Sequence, residues 1–269
     1  MYSVQLARQG RRMSDNPIVW RIASVLFAAL MVALWQLEAN LELVSQIYLP
    51  GPDRTFHALV NGFHSGVLLQ RTGLTVERMI YGWLIASLVG VLLGSMIGIS
   101  NLARAYLHPF LEYLRPMPAS AIIPVAIPIL GLTDTMVLAV TSFAALWPTL
   151  LATIHGFGSV EPRLNEVSRI LRLGRLEFIY KIALPNALPD IVAGMRLSLT
   201  YALILSVIGE MLSGRDGLGS WILFSARFYK APDLFAGVVL LGFIGYVSAL
   251  LVSGAERRLL RWRLKENRK

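Results

Sequence analysis

The sequence has 269 residues, of which 55% are hydrophobic and only 15% are charged, and its mean hydropathy is +0.60. Soluble domains carry about 25% charged residues, so this chain lacks the polar groups that cover a water-facing surface, and lipid is its expected solvent. The absence of cysteine excludes disulfides and thiolate metal sites. The net charge of +9 does not indicate nucleic acid, because the basic residues lie at the chain ends and between apolar runs.

Six segments have the composition of transmembrane helices, which need about 20 mostly apolar residues. In chain order they are residues 18–37, the stretches between Arg78 and Arg104, between Arg115 and Asp134 and between Asp134 and Glu161, residues 188–212, and the stretch between Asp233 and Glu256. Buried core helices are the alternative, but six of them would need a polar shell that the chain lacks. A cleaved signal peptide is the alternative for the first segment alone, whose apolar stretch is long for one.

Lysine and arginine in the short loops predict the orientation of these spans. The N-terminal tail (1–17), the loops after the second and fourth spans, and the C-terminal tail (261–269) are basic, whereas the opposite loops are poorer in base. Basic loops stay in the cytoplasm. The predicted fold class is therefore all-α, a polytopic membrane protein with six transmembrane helices over residues 18–260 and both termini in the cytoplasm.

The second span carries a row of small residues. Glycines recur every four residues along it, at Gly90, Gly94 and Gly98. Residues at this spacing share one helix face, where glycine lets a neighbouring backbone approach closely. Packing against another helix is one interpretation of the row, and simple flexibility facing lipid is the other.

Two further spans contain residues that are costly in a bilayer. The third is crowded with prolines, Pro118 and Pro124 among them, and each proline removes a backbone donor and bends its helix. A carbonyl freed by a proline needs a hydrogen-bond partner from protein or water, so the prolines either line a transport path or only kink the helix.

An ionisable residue in the fifth span either faces the bundle interior or extends its side chain to the nearer membrane surface, and we expect the latter for Arg196. Glu210 and Ser206, with Pro118 and Pro124, are candidates for a translocation path or gate.

The longest polar segment on the predicted cytoplasmic side is the loop over residues 158–185. Ser159 as N-cap and Pro162 in the first turn predict a helix, which Gly174 is predicted to end. Apolar residues at helical spacing form one stripe on it: Leu164, Val167, Ile170 and Leu171. Such a helix either docks in a groove of a soluble partner or lies in the lipid interface.

This loop resembles the EAA loop of ABC importer permeases. Glu166-Val167-Ser168, followed by Ile182-Ala183-Leu184-Pro185, has the spacing of the E-A-A triplet and the I-x-L-P element of that family. Val167 and Ser168 replace the two alanines, and Arg172 stands at the usual glycine position, two residues before Gly174.

Other elements in the same order resemble the sulfonate, nitrate and taurine branch of these permeases. They are Leu49-Pro50-Gly51-Pro52, Thr75-Val76-Glu77-Arg78, Leu114-Arg115-Pro116-Met117-Pro118, Gly194-Met195-Arg196-Leu197, Gly209-Glu210-Met211, Gly217-Leu218-Gly219 and Glu256-Arg257-Arg258-Leu259-Leu260-Arg261-Trp262. The resemblance implies a type I ABC importer permease in the bacterial inner membrane that moves an organic sulfonate, nitrate, taurine or a similar small anion.

The resemblance also implies partners. A second permease subunit would complete the pore, most simply as a homodimer, and an extracytoplasmic binding protein would deliver the solute. A cytoplasmic ATPase dimer would dock on Glu166, Val167, Ser168, Arg169, Arg172, Gly174, Ile182, Leu184 and Pro185. ATP and Mg would bind that ATPase, because this sequence has no GxxxxGK[ST] phosphate loop; no cofactor, metal or catalytic residue is expected in this chain.

Two other hypotheses remain open from the residues alone. An ion-coupled secondary transporter would have internal repeats and ionisable residues near the bilayer midplane, and no clear repeat is visible. An intramembrane enzyme would need facing catalytic groups within the bilayer. The four histidines are interpreted as structural: His57, His64, His108 and His155.

Overall fold

The computed structural model describes residues 17–114 and 117–260, and every regular element within these ranges is helical. The elements are α1 (Pro17–Leu41), α2 (Pro52–His64), α3 (Val67–Ile99), α4 (Asn101–Leu114), α5 (Ile123–Leu130), α6 (Asp134–Gly158), α7 (Pro162–Ile170), α8 (Arg175–Phe178), α9 (Leu184–Ser213), α10 (Leu218–Arg227) and α11 (Ala231–Leu259). A 3-10 turn, Ala119–Ile122, precedes α5, and a π-helical turn, Ile179–Ala183, joins α8 to α9. Residues 1–16, 115–116 and 261–269 lie outside the described residues. These ranges include both basic tails apart from Pro17.

Five of the predicted spans are long apolar helices. The segments long and apolar enough to cross a membrane are Ile18–Leu41, Val67–Ile99, Asp134–Gly158, Arg175–Ser213 and Ala231–Leu259. The predicted borders differ most for the second span, because α3 begins at Val67 and carries Arg78 inside the helix. These helices confirm the all-α membrane class.

The third predicted span is not one continuous helix, which corrects the expectation from its apolar run. It consists of a four-residue 3-10 turn and the eight-residue α5, with Pro118 at the N-cap of the turn. Neither piece is long enough to cross a bilayer alone, since a crossing needs about 20 residues. The segment Ala119–Leu130 is bent by 85° from α4, and the two together form the sixth crossing if they are counted as one span. Prolines explain this break because they cannot donate to the preceding turn.

Helix α6 is the centre of the bundle because α3 and α9 both pack closely against it. The glycine row of α3 faces α6 along its length: Gly90, Gly94 and Gly98. A Cβ atom on Gly94 would lie 2.6 Å from Cβ of Thr153 and 2.9 Å from the carbonyl oxygen of Leu150. In lipid, helices associate through such close packing rather than through the hydrophobic effect.

The contact between α6 and α9 also depends on glycines that let the two backbones approach closely. A Cβ atom on Gly194 of α9 would lie 2.5 Å from Cβ of Ala152 and 2.8 Å from the carbonyl oxygen of Pro148. Further along, a Cβ atom on Gly209 would lie 2.9 Å from Cγ1 of Val137. Small residues therefore set the spacing of all three central helices, whereas α1 leaves its apolar residues exposed and lies at the edge.

Replacing Gly94 by alanine tests whether close packing holds the bundle. The added methyl group would meet Thr153 and the backbone of α6, and overpacking of this kind costs about 1–3 kcal/mol. We expect a lower midpoint in a detergent-unfolding titration. Gly242→Ala is the matched control, because no atom lies within 4 Å of a Cβ built there, and it should leave the midpoint unchanged or slightly raised. Equal effects of the two changes would contradict the packing role of Gly94.

Candidate functional site

A buried carboxylate organises the end of the bundle where α3 begins and α9 ends. Glu210 of α9 has no exposed surface. Its Oε1 accepts a hydrogen bond from Nη1 of Arg78 at 2.8 Å. Its Oε2 accepts one from the Thr75 hydroxyl and one from the backbone N–H of Gly219, each at 2.9 Å. A charge buried in this way is tolerated because each carboxylate oxygen has a partner.

The loop after α9 is shaped to fit this carboxylate. The Gly217-Leu218-Gly219 segment wraps round it, and a Cβ atom on Gly217 would collide with the Glu210 carboxyl group. The backbone N–H of Leu218 donates to the Thr75 hydroxyl at 2.8 Å. The two glycines of this segment thus have a physical reason in this chain, since only glycine lets the loop come this close.

Arg78 also connects α3 to α6. Its Nη2 lies 2.7 Å from Oδ1 of Asp134, the first residue of α6, and its Nη1 donates to the Asp216 carbonyl at 2.6 Å. Asp134 in turn binds Arg215 through Nη2 at 2.5 Å. Hydrogen bonding to the Asp134 carboxylate raises the pKa of the Arg215 guanidinium, which stays charged at physiological pH. We call Thr75, Arg78, Asp134, Glu210 and Arg215 the Arg78 network.

Removing Arg78 should be far more damaging than removing Arg71, a nearby arginine whose acidic partner Asp216 is exposed. Arg78→Ala leaves the Glu210 carboxylate buried without its counter-ion, a loss that costs about 3–5 kcal/mol. The matched control is Arg71→Ala, which breaks an ion pair with the exposed Asp216 and a hydrogen bond to the Ser220 hydroxyl, and it should cost about 1–2 kcal/mol. Unfolding titrations in detergent compare the two. A similar loss in both variants would show that Arg78 does not hold the fold together.

A large cavity lies between α4, α6, α9 and the segment before α5. It has a volume of about 740 Å³, within the usual range for small-molecule sites. Its wall is mainly apolar and aromatic, with a few polar side chains: Glu112, Met117, Pro118, Ala119, Ala144, Trp147, Pro148, Leu151, Ala152, His155, Asp190, Ala193, Gly194, Leu197 and Tyr201. We call it the central cavity.

The structure separates the residues predicted for a translocation path. Pro118 lines the central cavity, whereas Pro124 lies on the exposed side of α5. Ser206 is buried and donates to the carbonyl of Leu203, and neither it nor Glu210 lines that cavity. Glu210 belongs instead to the Arg78 network. Arg196 is half-exposed and lies 3.8 Å from Glu256.

Sequence reasoning missed the polar and aromatic side chains of the central cavity. Nδ1 of His155 in α6 lies 3.4 Å from Oδ2 of Asp190 in α9, so the two helices meet through a polar pair. Trp147 and Tyr201 lie deeper along the same helices. Pro148 inside α6 could have indicated this cavity from the sequence. A proline in a membrane helix leaves a backbone carbonyl without its hydrogen bond, and water in a cavity can supply one. The described residues contain no cluster of three or more metal-ligating side chains.

The predicted docking segment lies at the opposite end of the bundle from the Arg78 network. Helix α7 is present, but its start and end differ from the prediction. Its N-cap is Glu161, because Ser159 instead caps the C-terminus of α6 and donates to the Gly156 carbonyl. Gly174 does not end α7 but is the N-cap of α8, and its N–H donates to Glu177 at 3.1 Å.

Arg172 ends α7 in a conformation that favours glycine. Its φ is 49°, its N–H donates to the Arg169 carbonyl at 3.1 Å, and the N–H of Leu173 donates to the Ser168 carbonyl at 3.0 Å. This pair of bonds is a Schellman motif, whose left-handed residue is usually glycine. The arginine therefore keeps the turn that a glycine forms more easily, at the position where the resemblance expects one.

Replacing Arg172 by glycine should stabilise this turn. The left-handed conformation costs a non-glycine residue about 1–2 kcal/mol, although added freedom of the unfolded chain offsets part of the gain. We expect amide hydrogen exchange at Arg172 and Leu173 to slow by up to about fivefold. Arg172→Val, in which a β-branched residue occupies the same position, should accelerate the exchange. Faster exchange in the glycine variant would contradict the assigned backbone geometry.

Apolar spans around a cavity, with an exposed amphipathic segment at one end, define a polytopic helical transport protein. Residues 86–265 match the family described as the binding-protein-dependent transport system inner membrane component. The chain belongs to this family, and it is the transmembrane permease component of an ABC importer, a multi-pass protein of the inner membrane.

Individual relatives agree with this assignment. The putative aliphatic sulfonates transport permease protein SsuC of Bacillus subtilis is 30% identical over 89% of this chain and 87% of its own length. The taurine transport system permease protein TauC of Escherichia coli is 26% identical over 87% of each chain. An inward-facing structure of the MetNI methionine ABC transporter shares the fold, with a TM-score of 0.61 and 20% identity over 74% of this chain and 96% of that chain.

Proposed function

We propose that this chain forms half of a solute path and is driven by a separate cytoplasmic ATPase that docks on residues 158–185. The observation that carries the proposal is the exposure of α7. Its stripe residues Val167 and Ile170 are 44% and 79% exposed, and Glu166 beside them is also exposed. An apolar stripe flanked by charges on a short helix fits a groove on a soluble protein. Lying in the lipid interface is the competing explanation.

The docking segment connects directly to the central cavity. Helix α8 continues through the π-helical turn into α9, with Leu184 and Pro185 in the first turn of that helix. Asp190 and Tyr201 of the same helix line the cavity. A displacement of the docking segment would therefore move the cavity wall, which is how ATP-driven closure of the ATPase would alternate access to the solute.

The remaining partners follow from the family. A second copy of this chain would complete the path, and an extracytoplasmic binding protein would deliver the solute. The names of SsuC and TauC support a small organic sulfonate, or a similar small anion, as that solute. ATP and Mg would bind the ATPase. The ion-coupled hypothesis loses support because family members work as components of binding-protein-dependent systems.

Charge reversal at Glu166 tests the docking assignment. In the transporter reconstituted with its ATPase, Glu166→Lys should lower ATP-driven uptake of taurine or an alkanesulfonate about tenfold or more, because a reversed interface charge is repelled by its partner. Deletion of residues 161–174 should abolish uptake while membrane insertion persists. Affinity for the ATPase is measured in parallel.

Glu77→Lys is the matched control, since Glu77 is also exposed but lies on α3 at the other end of the bundle. It should leave ATPase affinity unchanged. Unchanged uptake and unchanged ATPase affinity in Glu166→Lys would contradict the proposal, and loss of affinity in both variants would show that the effect is not specific to α7.

A further inference from the structure

A polar cavity, separate from the central cavity, is lined in part by the docking segment and has no part in the proposed solute path. It has a volume of about 530 Å³ and lies between the α3–α4 junction, the end of α6 and residues 158–185. Its polar side chains are Asn101, Arg104, Ser168, Arg169 and Arg175. We call this cavity the basic groove.

Among the described residues, no acidic side chain balances the charge of the basic groove. Three arginines line it, and no aspartate or glutamate is among the described residues of its wall. Within the part of the chain that the structure describes, none of these arginines forms an ion pair, and Nη2 of Arg104 donates only to the neutral Asn101 at 2.8 Å. Glu177 near the groove already binds Lys181 at 2.9 Å. Three arginines on the wall of one cavity concentrate positive charge there, and a bound anion would offset that charge.

The Arg104 side chain lies against the C-terminal end of α6. Its guanidinium lies against the backbone of Gly158, so closely that a Cβ atom on Gly158 would collide with Nη1. Leu102 and Tyr106, which are 70% and 76% exposed, stand two residues before and after Arg104 on the same helix and therefore lie on its opposite face. Helix α4 thus turns one face to the groove and an exposed apolar face away from it.

We propose that the basic groove binds a phosphate group. Planar guanidinium groups bind phosphate oxygens in a bidentate manner, and basic pockets on the cytoplasmic side of membrane proteins hold anionic lipid headgroups. The phosphate comes either from such a headgroup or from free phosphate. Because it would bridge α4 to the docking segment, it would stiffen the connection between ATPase and spans. That consequence, though not the binding itself, rests on the proposed function.

The test measures binding to the full-length chain in nanodiscs. Native mass spectrometry counts phosphatidylglycerol retained from discs that also contain phosphatidylcholine, and inorganic phosphate is titrated into discs of phosphatidylcholine alone. Each groove arginine would donate charge-assisted hydrogen bonds directly to the phosphate, so Arg104→Gln and Arg175→Gln should each weaken binding about fivefold. Gly158→Ala keeps every charge but displaces the Arg104 guanidinium, and it should weaken binding too.

The control is Arg258→Gln, which removes the same charge from an exposed position on α11 that does not line the groove. Phosphatidylglycerol retention that falls in the groove variants but not in Arg258→Gln identifies a headgroup site. Phosphate binding that is lost in the same variants, without lipid preference, identifies a free-anion site. Equal retention in all variants together with no phosphate binding would overturn the proposal. Because these assays need no ATPase, a failed Glu166→Lys test would leave their outcome unaffected.

Discussion

The close approach of α3 and α9 to α6 is the constraint on which the other features depend. Lipid gives helices no hydrophobic reason to associate, so the central contacts rely on backbone proximity. Glycine on one helix faces a threonine or an alanine on the next, as Gly94 faces Thr153 and Gly194 faces Ala152. The three helices are therefore held at fixed spacing, and the central cavity and the basic groove lie where larger side chains, prolines or helix ends interrupt these contacts.

The two ends of this bundle are built differently. At one end, the Arg78 network ties α3, α6 and α9 together through the buried pair of Arg78 and Glu210, which Thr75 and the half-exposed Asp134 also contact. At the other end, α7 is exposed and contributes few contacts to the core. Buried and paired charges resist rearrangement, because separating them exposes an unpaired charge to low dielectric. The Arg78 end is thus suited to serve as a fixed point, and the α7 end is suited to move.

The sequence predicted those features that depend on local pattern. Apolar length found the spans, the spacing of Gly90, Gly94 and Gly98 indicated a packing face, and crowded prolines indicated a bend in the third span, although not its division into two short pieces. It could not predict the pairing of Arg78 with Glu210, because these residues are 132 positions apart and belong to different spans. Seen alone, a glutamate inside a span indicates a gate as readily as a buried ion pair.

The helix ends show a second limit of sequence reasoning. Ser159 and Gly174 are sound capping residues, but each caps a different helix from the one predicted, because two helix ends lie within a few residues of each other. Arg172 shows the opposite case, in which tertiary context imposes a left-handed turn on a residue that disfavours it. Such a turn persists only if its surroundings determine it.

The surroundings of Arg172 suggest why the turn is kept. It places Arg169 before the turn and Arg175 after it on the wall of the basic groove, while α7 keeps its apolar stripe exposed. An extended link would separate the two arginines and would also change the direction in which α8 leads into α9. The strained turn, the charged groove and the path from α7 to the central cavity therefore depend on the same few residues, so a change in any one of them should affect the other two.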